Sequence, residues 1–296
     1  MEISVDGFTK LVAEATRLLE RENGRIGNLQ ILGKLVKMKS SGEALVVGDL
    51  HGDLESLIQI LQQSEILQRM EKSQLAYLIF LGDYGDRGEF SAEVYYTVLS
   101  LKLRHPTQVI LMRGNHEGPR DLLASPHDLP EQFQNRFGKE WAEAYHAILE
   151  LFPLLCNSVL VKERYLIVHA GLPQQARTIG DFAYAHTNHP KMTFLEDMLW
   201  SDPQEAEGTY PSPRGAGHMF GIDVTTAVLK ALKVRILIRG HEPCSEGFKI
   251  DHDDKILTLF SRKGPPYFNK YGAYLDVNLS KKLQKATQLV PYVHKF

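Results

Sequence analysis

The chain has 296 residues, with 34 Lys and Arg against 36 Asp and Glu, 43% hydrophobic and 24% charged residues, and 2 Cys. These proportions exclude a disordered chain, a collagen-like repeat and a disulfide scaffold. A net charge of -2, with both signs interspersed along the sequence, gives no footprint for nucleic acid, and no run approaches the ~18 apolar residues of a membrane span.

The N-terminus, MEISVDGFTK, lacks the basic and apolar regions of a secretion signal, so a cytoplasmic location is expected. Cys156 and Cys244 share no CxxC spacing, which argues against a disulfide framework or a thiolate zinc site. Phe8, Leu11, Val12, Ala15, Leu18 and Leu19 recur at helical spacing, predicting an amphipathic helix over 8–21 that packs on the body. Gly24, Gly27 and Gly33 interrupt it before a polar stretch that ends at Gly42. Residues 1–43 therefore read as an N-terminal helical extension and 44–296 as the main domain.

From residue 44 short apolar runs alternate with helical periodicity. The runs are 44–47, 77–81, 109–112, 165–168 and 235–238, rich in β-branched and aromatic residues as buried strands are. Helical patterns follow at 53–63, 91–104, 139–151 and 223–233, which predicts an α/β body. Residues 247–260 and 272–279 read as strands without helices between them, so the C-terminal part is expected to be antiparallel and the sheet system mixed. The Pro/Gly-rich stretch 203–221 reads as a long loop.

Each of the five runs ends in polar residues able to hold a metal: GDLHG at 48–52, GDYGDRG at 82–88, RGNHE at 113–117, HAG at 169–171 and RGHE at 239–242. Ligands in α/β sheets gather beyond the carboxyl ends of strands. One such cluster alone is as well explained by turn chemistry, but five at successive strand ends point to one site. The candidate ligands Asp49, His51, Asp83, Asn115, His169 and His241 are oxygen and imidazole donors, which suit Mn, Fe or Zn in open catalytic geometry. Six donors are too many for one open ion and too few for two unless a carboxylate bridges. Gly48, Gly52, Gly82 and Gly114 fit close backbone approach or plain turns.

These motifs resemble the phosphoprotein phosphatase family of metal-dependent serine/threonine phosphatases, whose pattern runs GDxHG, GDxxDRG, GNHE, a later His-Gly/Ala-Gly and a distal Arg-x-His. The likeness extends to LWSDP at 199–203, RGAGHMFG at 214–221 and LFS at 259–261. It implies a calcineurin-like metallophosphoesterase fold, a mixed β-sandwich flanked by helices, with a catalytic domain over 44–296 and the site at the rim between the sheets. It further implies two divalent metal ions, the first held by Asp49, His51 and Asp83, the second by Asp83, Asn115, His169 and His241. His116 is implied as general acid for the leaving oxygen, with Asp86 orienting its ring, and Arg87, Arg214 and Asn115 as phosphate-binding residues.

The implied reaction is direct hydrolysis of phosphoserine and phosphothreonine monoesters by hydroxide held between the metals; the alternative is a dinucleoside polyphosphate hydrolase on the same metal core. A silent phosphoprotein-binding module is the third possibility, opposed by the intact His116 and Asp86. Expected partners are phosphoprotein substrates, without nucleic acid or membrane, for a monomer or weak oligomer. The calmodulin-binding and autoinhibitory tails of eukaryotic members are missing, so a compact prokaryote-like or archaeal-like member is expected.

Two departures stand out. Gly85 occupies a position where a branched apolar residue is usual, and FSRKGPPY at 260–267 replaces the usual FSAPNY. Allowing two extra residues, Tyr267 takes the place of the tyrosine that overhangs the site. Arg113 and Arg239 read as salt-bridge partners near the rim, and His218 as a loop histidine beside Arg214. His105, His127, His146, His186, His189, His252 and His294 read as solvated or hydrogen-bonded, and 251–254 as a hairpin turn.

Overall fold

A computed structural model describes residues 3–296, and in it two β-sheets lie face to face between layers of helix. The five-stranded sheet runs, in spatial order, Val293–Lys295, Ala273–Asn278, Glu43–Val47, Ala76–Phe80 and Val109–Leu111, the last three parallel. Side chains along a strand alternate between faces, so Ala44 and Val46 point into the space between the sheets while Leu45 and Val47 point outward under helices. With both faces buried, the strand reads as an unbroken apolar run.

The eight-stranded sheet runs Gly24–Ile26, Leu29–Leu32, Leu35–Met38, Ser158–Val161, Tyr165–Val168, Ile236–Arg239, Ile256–Leu259 and Phe248–Asp251. Its inner face meets the other sheet through Val36, Val159, Ile167, Ile238 and Leu257. The outer face packs Leu160, Leu166 and Leu237 under helices that include Ile222–Leu232. Each fully buried Val, Leu or Ile contributes about 1.5–3 kcal/mol, so this double core dominates the stability.

Helix Val5–Glu20 starts where the Ser4 side chain accepts a hydrogen bond from Gly7 N–H. It buries Phe8, Val12, Ala15 and Leu19, with Phe8 edge-on to Phe133 at 5.4 Å. The segment after it departs from the expected helical extension. Residues 24–38 form three antiparallel strands that extend the larger sheet, because the glycines act as hairpin turns, Gly27 and Gly33 having φ of 58° and 54°.

One further expectation is corrected and one is met. The stretch 203–221 is not a plain loop: Thr209–Pro211 and His218–Phe220 pair with each other and with Asp202–Pro203. Such two- and three-residue strands are too short to leave a periodic trace. In the C-terminal part the expected antiparallel pairing is present, Phe248–Asp251 with Ile256–Leu259 and Ala273–Asn278 with Glu43–Val47 and Val293–Lys295, and the system is mixed because Ile256–Leu259 also runs parallel to Ile236–Arg239. Among the described residues no helix is long and apolar enough to cross a membrane.

Candidate metal centre and phosphate site

The sheets are stitched together at one rim by isolated bridges, Asp49 to Phe260 and Met112 to Cys156. This explains Gly48, whose φ is ordinary: a Cβ there would lie 2.6 Å from the Leu259 carbonyl oxygen of the facing sheet. At Gly82, φ is 106° and a Cβ would lie 2.3 Å from Gly114 N, so turn and close approach coincide.

His51, Asp83, Asp86, Arg87 and His241 all adopt left-handed backbone, with φ of 44°, 54°, 63°, 69° and 72°. Each such residue costs about 1–3 kcal/mol and persists only where its surroundings impose it. Here the imposing contacts are visible: Leu50 and His51 N–H both donate to the Asp83 carbonyl, at 3.0 and 2.8 Å. Below them the buried Glu117 carboxylate accepts from the N–H groups of Asp83, Tyr84 and Gly114, and from the Tyr95 hydroxyl.

The six candidate ligands converge. His51 Nε2 lies 3.4 Å from Asp83 Oδ2 and 3.8 Å from Asp49 Oδ2. On the other side of Asp83, His169 Nε2 is 3.5 Å from Oδ1, and Asn115 Oδ1 lies 3.0 Å from both His169 Nε2 and His241 Nδ1. His51 and His169 donate their Nδ1–H groups to the carbonyls of Gly85 and Leu81, leaving Nε2 as the ligating atom on each. Two clusters of compatible donors result, one of His51, Asp83 and His116, the other of Asp83, His169 and His241, and they share Asp83.

Burial pushes Asp49 up to about 7 and Asp83 well above the carboxylate range, with Asp49's charge adding to the second shift. Burial likewise holds His169 down to about 3 and His51 and His241 well below the usual imidazole value. The buried Nε2 of His241 has no hydrogen-bond partner. Neutral imidazoles around poorly solvated carboxylates, with one ring nitrogen unpartnered, fit divalent cations.

Around these donors, His116 Nδ1 lies 2.5 Å from Asp86 Oδ2, which leaves Nε2 as the nitrogen able to transfer a proton. The same oxygen takes a second imidazole, His127 Nδ1, at 2.9 Å, while Oδ1 accepts from Leu129 N–H at 2.7 Å. Although burial opposes it, these hydrogen bonds carry Asp86 far below the ordinary carboxylate value. Arg87 is anchored by its N–H to Asp128 and by its guanidinium to the Ser125 carbonyl. Arg214 Nε donates to Asp202 Oδ2 at 2.5 Å, leaving its terminal nitrogens for a ligand.

Tyr267 stands over this site, its ring 5.4 Å from His51 and 5.0 Å from Phe260, with Arg87 beside its hydroxyl. The inserted residues are accommodated by Arg262, whose buried guanidinium donates to the carbonyls of His51 and Pro265. Four residues that sequence reasoning left without a role belong here: Glu117, Asp202, His127 and Arg262. Glu117 and Asp202 lay inside recognised motifs and Arg262 in the altered segment 260–267, whereas His127 carried no local signal. Arg239 is paired to Asp202 and Glu242, and Arg113 donates to the Glu117 carbonyl. His218 Nδ1 is held 2.6 Å from Asp197.

Facing sheets that bring such a donor set to one rim define the metallophosphoesterase class. Residues 43–245 match the calcineurin-like phosphoesterase family. A protein phosphatase 2A catalytic chain of Dictyostelium discoideum is 32% identical over 244 residues, 81% of this chain and 74% of that protein. A probable serine/threonine-protein phosphatase of Encephalitozoon cuniculi is 34% identical over 254 residues, 83% of this chain, which spans only 52% of that relative. In fold, the chain is similar to a Saccharomyces cerevisiae serine/threonine phosphatase with similarity to human phosphatase PP5, at a TM-score of 0.73, 24% identity, and coverage of 93% of this chain and 83% of that one. The chain belongs to the calcineurin-like phosphoesterases, in their phosphoprotein phosphatase branch.

Proposed function

We propose that the chain hydrolyses phosphoserine and phosphothreonine monoesters of proteins. The observation that carries this reading is the His116–Asp86 pair set against the donors His51, Asp83, His169 and His241, with Arg87 beside Tyr267 and Arg214 near His241. Asp49, His51 and Asp83 would hold one divalent ion, and Asp83, Asn115, His169 and His241 the other; manganese is the ion expected in vitro, iron or zinc natively. Bound there, the ions supply the Lewis acidity that ionises water at neutral pH and offsets charge developing at phosphorus.

The protein's own groups do the rest. Arg87 and the free terminal nitrogens of Arg214 grip phosphate oxygens through paired, charge-assisted hydrogen bonds, with the Asn115 amide alongside. His116 delivers a proton from Nε2 to the departing seryl or threonyl oxygen, while Asp86 holds Nδ1 and fixes the ring. Tyr267 covers the bound phosphate.

The deciding experiment is a parallel assay with manganese on a phosphoserine peptide, a phosphotyrosine peptide and diadenosine tetraphosphate. Orthophosphate release from the phosphoserine peptide is expected to be fastest. Cleavage of diadenosine tetraphosphate alone would transfer the chain to the nucleotide hydrolases, and no hydrolysis of any phosphomonoester would leave a binding module.

A further inference from the structure

The cations that look interspersed in sequence are gathered in space. On the outer face of the larger sheet, Arg25, Gln30, Lys37 and Leu160 are cross-strand neighbours in one row, so their side chains share a face. Lys39, Lys162 and Lys233 complete the wall of a cavity of about 570 Å³ there, with Leu160, Ile179 and Leu232 contributing apolar surface. Glu163 and Lys233 also line an adjoining cavity of about 810 Å³, together with Lys230, Arg235, Lys255 and Lys285.

Neutralisation of this surface is sparse. Among the described residues, Lys162 pairs with Glu163 at 3.8 Å and Lys285 with Asp254 at 3.4 Å, while no ion pair engages Arg25, Lys37, Lys39, Lys233 or Arg235. Eleven cationic side chains line the two cavities against three carboxylates, Glu163, Asp253 and Asp254, an excess of like charge whose members repel one another in a chain whose net charge is -2. The surface lies away from the phosphate site: Glu163 sits in the turn before strand Tyr165–Val168, whose far end delivers His169, and the strand alone separates the two by about 13 Å at ~3.3 Å per residue.

We propose that this double cavity is a docking groove for an acidic, apolar-anchored segment of a partner polypeptide, bound without obstructing the phosphate site. Charge complementarity selects the acidic residues, and the apolar walls select Leu- or Ile-like anchors between them. Nucleic acid fits less well, because neither cavity has an aromatic lining residue on which a base could stack. A membrane fits less well too, because none of the large exposed apolar side chains lies in the lining to insert into lipid.

The test uses the full chain and fluorescence anisotropy of a fluorescein-labelled peptide of alternating Glu and Leu. Wild type is expected to bind it with an affinity that falls as salt rises. The triple variant Lys37→Glu, Lys162→Glu, Lys233→Glu is expected to weaken binding about tenfold or more, with unchanged circular dichroism and unchanged hydrolysis of p-nitrophenyl phosphate. If the triple variant misfolds, Lys37→Ala and Lys233→Ala separately are expected to lower affinity several-fold. The proposal fails if folded variants bind as wild type does, if a Glu/Gly peptide binds as tightly as the Glu/Leu peptide, or if wild type does not bind. It also fails if single-stranded RNA or phosphatidylserine vesicles bind more tightly than the peptide. Binding is read without turnover, so this outcome is independent of the proposed hydrolysis.

Discussion

Tyr95 places its hydroxyl 2.7 Å from Glu117 Oε1, through space that Gly85 leaves open. A Cβ on Gly85 would come within 2.9 Å of the Tyr95 ring and 3.1 Å of Leu129 Cδ1. The glycine that departs from the family pattern is thus matched to a tyrosine that steadies the carboxylate beneath the Asp83 turn. Gly85→Val is expected to cost about 1–3 kcal/mol by overpacking, and Tyr95→Phe a similar amount by removing a buried donor. Combining Gly85→Val with Tyr95→Ile is expected to recover stability relative to the sum of the single changes. Urea unfolding of wild type, the two single variants Gly85→Val and Tyr95→Ile, and their combination measures this, and strict additivity would refute the pairing.

His127 shares the Asp86 oxygen with His116. Burial works against its charge, but the hydrogen bond and charge of Asp86 outweigh burial and raise the imidazole above its ordinary value. A group raised in the folded state stabilises below its unfolded pKa of about 6.5, and that contribution is lost as pH rises through the folded value. His127→Asn is therefore expected to destabilise more at pH ~6 than at pH ~9, by about 1.5–3 kcal/mol at the lower pH for a hydrogen bond to a charged group. Equal urea midpoint shifts at both pH values would contradict the assignment.

Asp83 joins the two donor clusters, so Asp83→Asn is expected to lower bound manganese from two ions to fewer than one, measured by elemental analysis after dialysis. Without metal the same change removes a buried carboxylate that Asp49 repels, so the metal-free variant is expected to melt no lower than metal-free wild type. Manganese should raise the melting temperature of wild type and leave the variant nearly unchanged. Retention of two ions by the variant would remove the bridge.

His116→Gln is expected to keep both ions yet lower kcat about 10²–10⁴-fold on a phosphoserine peptide, whose leaving oxygen needs a proton. On p-nitrophenyl phosphate, which leaves as a stable phenolate, the loss should be much smaller. Equal losses on both substrates would deny His116 its role as acid.

The sequence alone determined the helix at the N-terminus, five apolar strands and the six candidate ligands, because periodicity and strand-end turns are local properties of the chain; the buried strand Ser158–Val161 was not among the five. The short hairpins at 24–38 escaped it, since three- and four-residue strands carry too few alternations to separate from a polar loop. Only the tertiary structure decided that Gly48 serves sheet contact, that His127 meets Asp86 across 41 positions, and that Arg262 props the loop carrying Tyr267. The same holds for the basic face, whose lysines are scattered along the chain. Such pairings depend on how layers pack and which distant backbones approach, and neither quantity is written in the spacing of neighbouring residues.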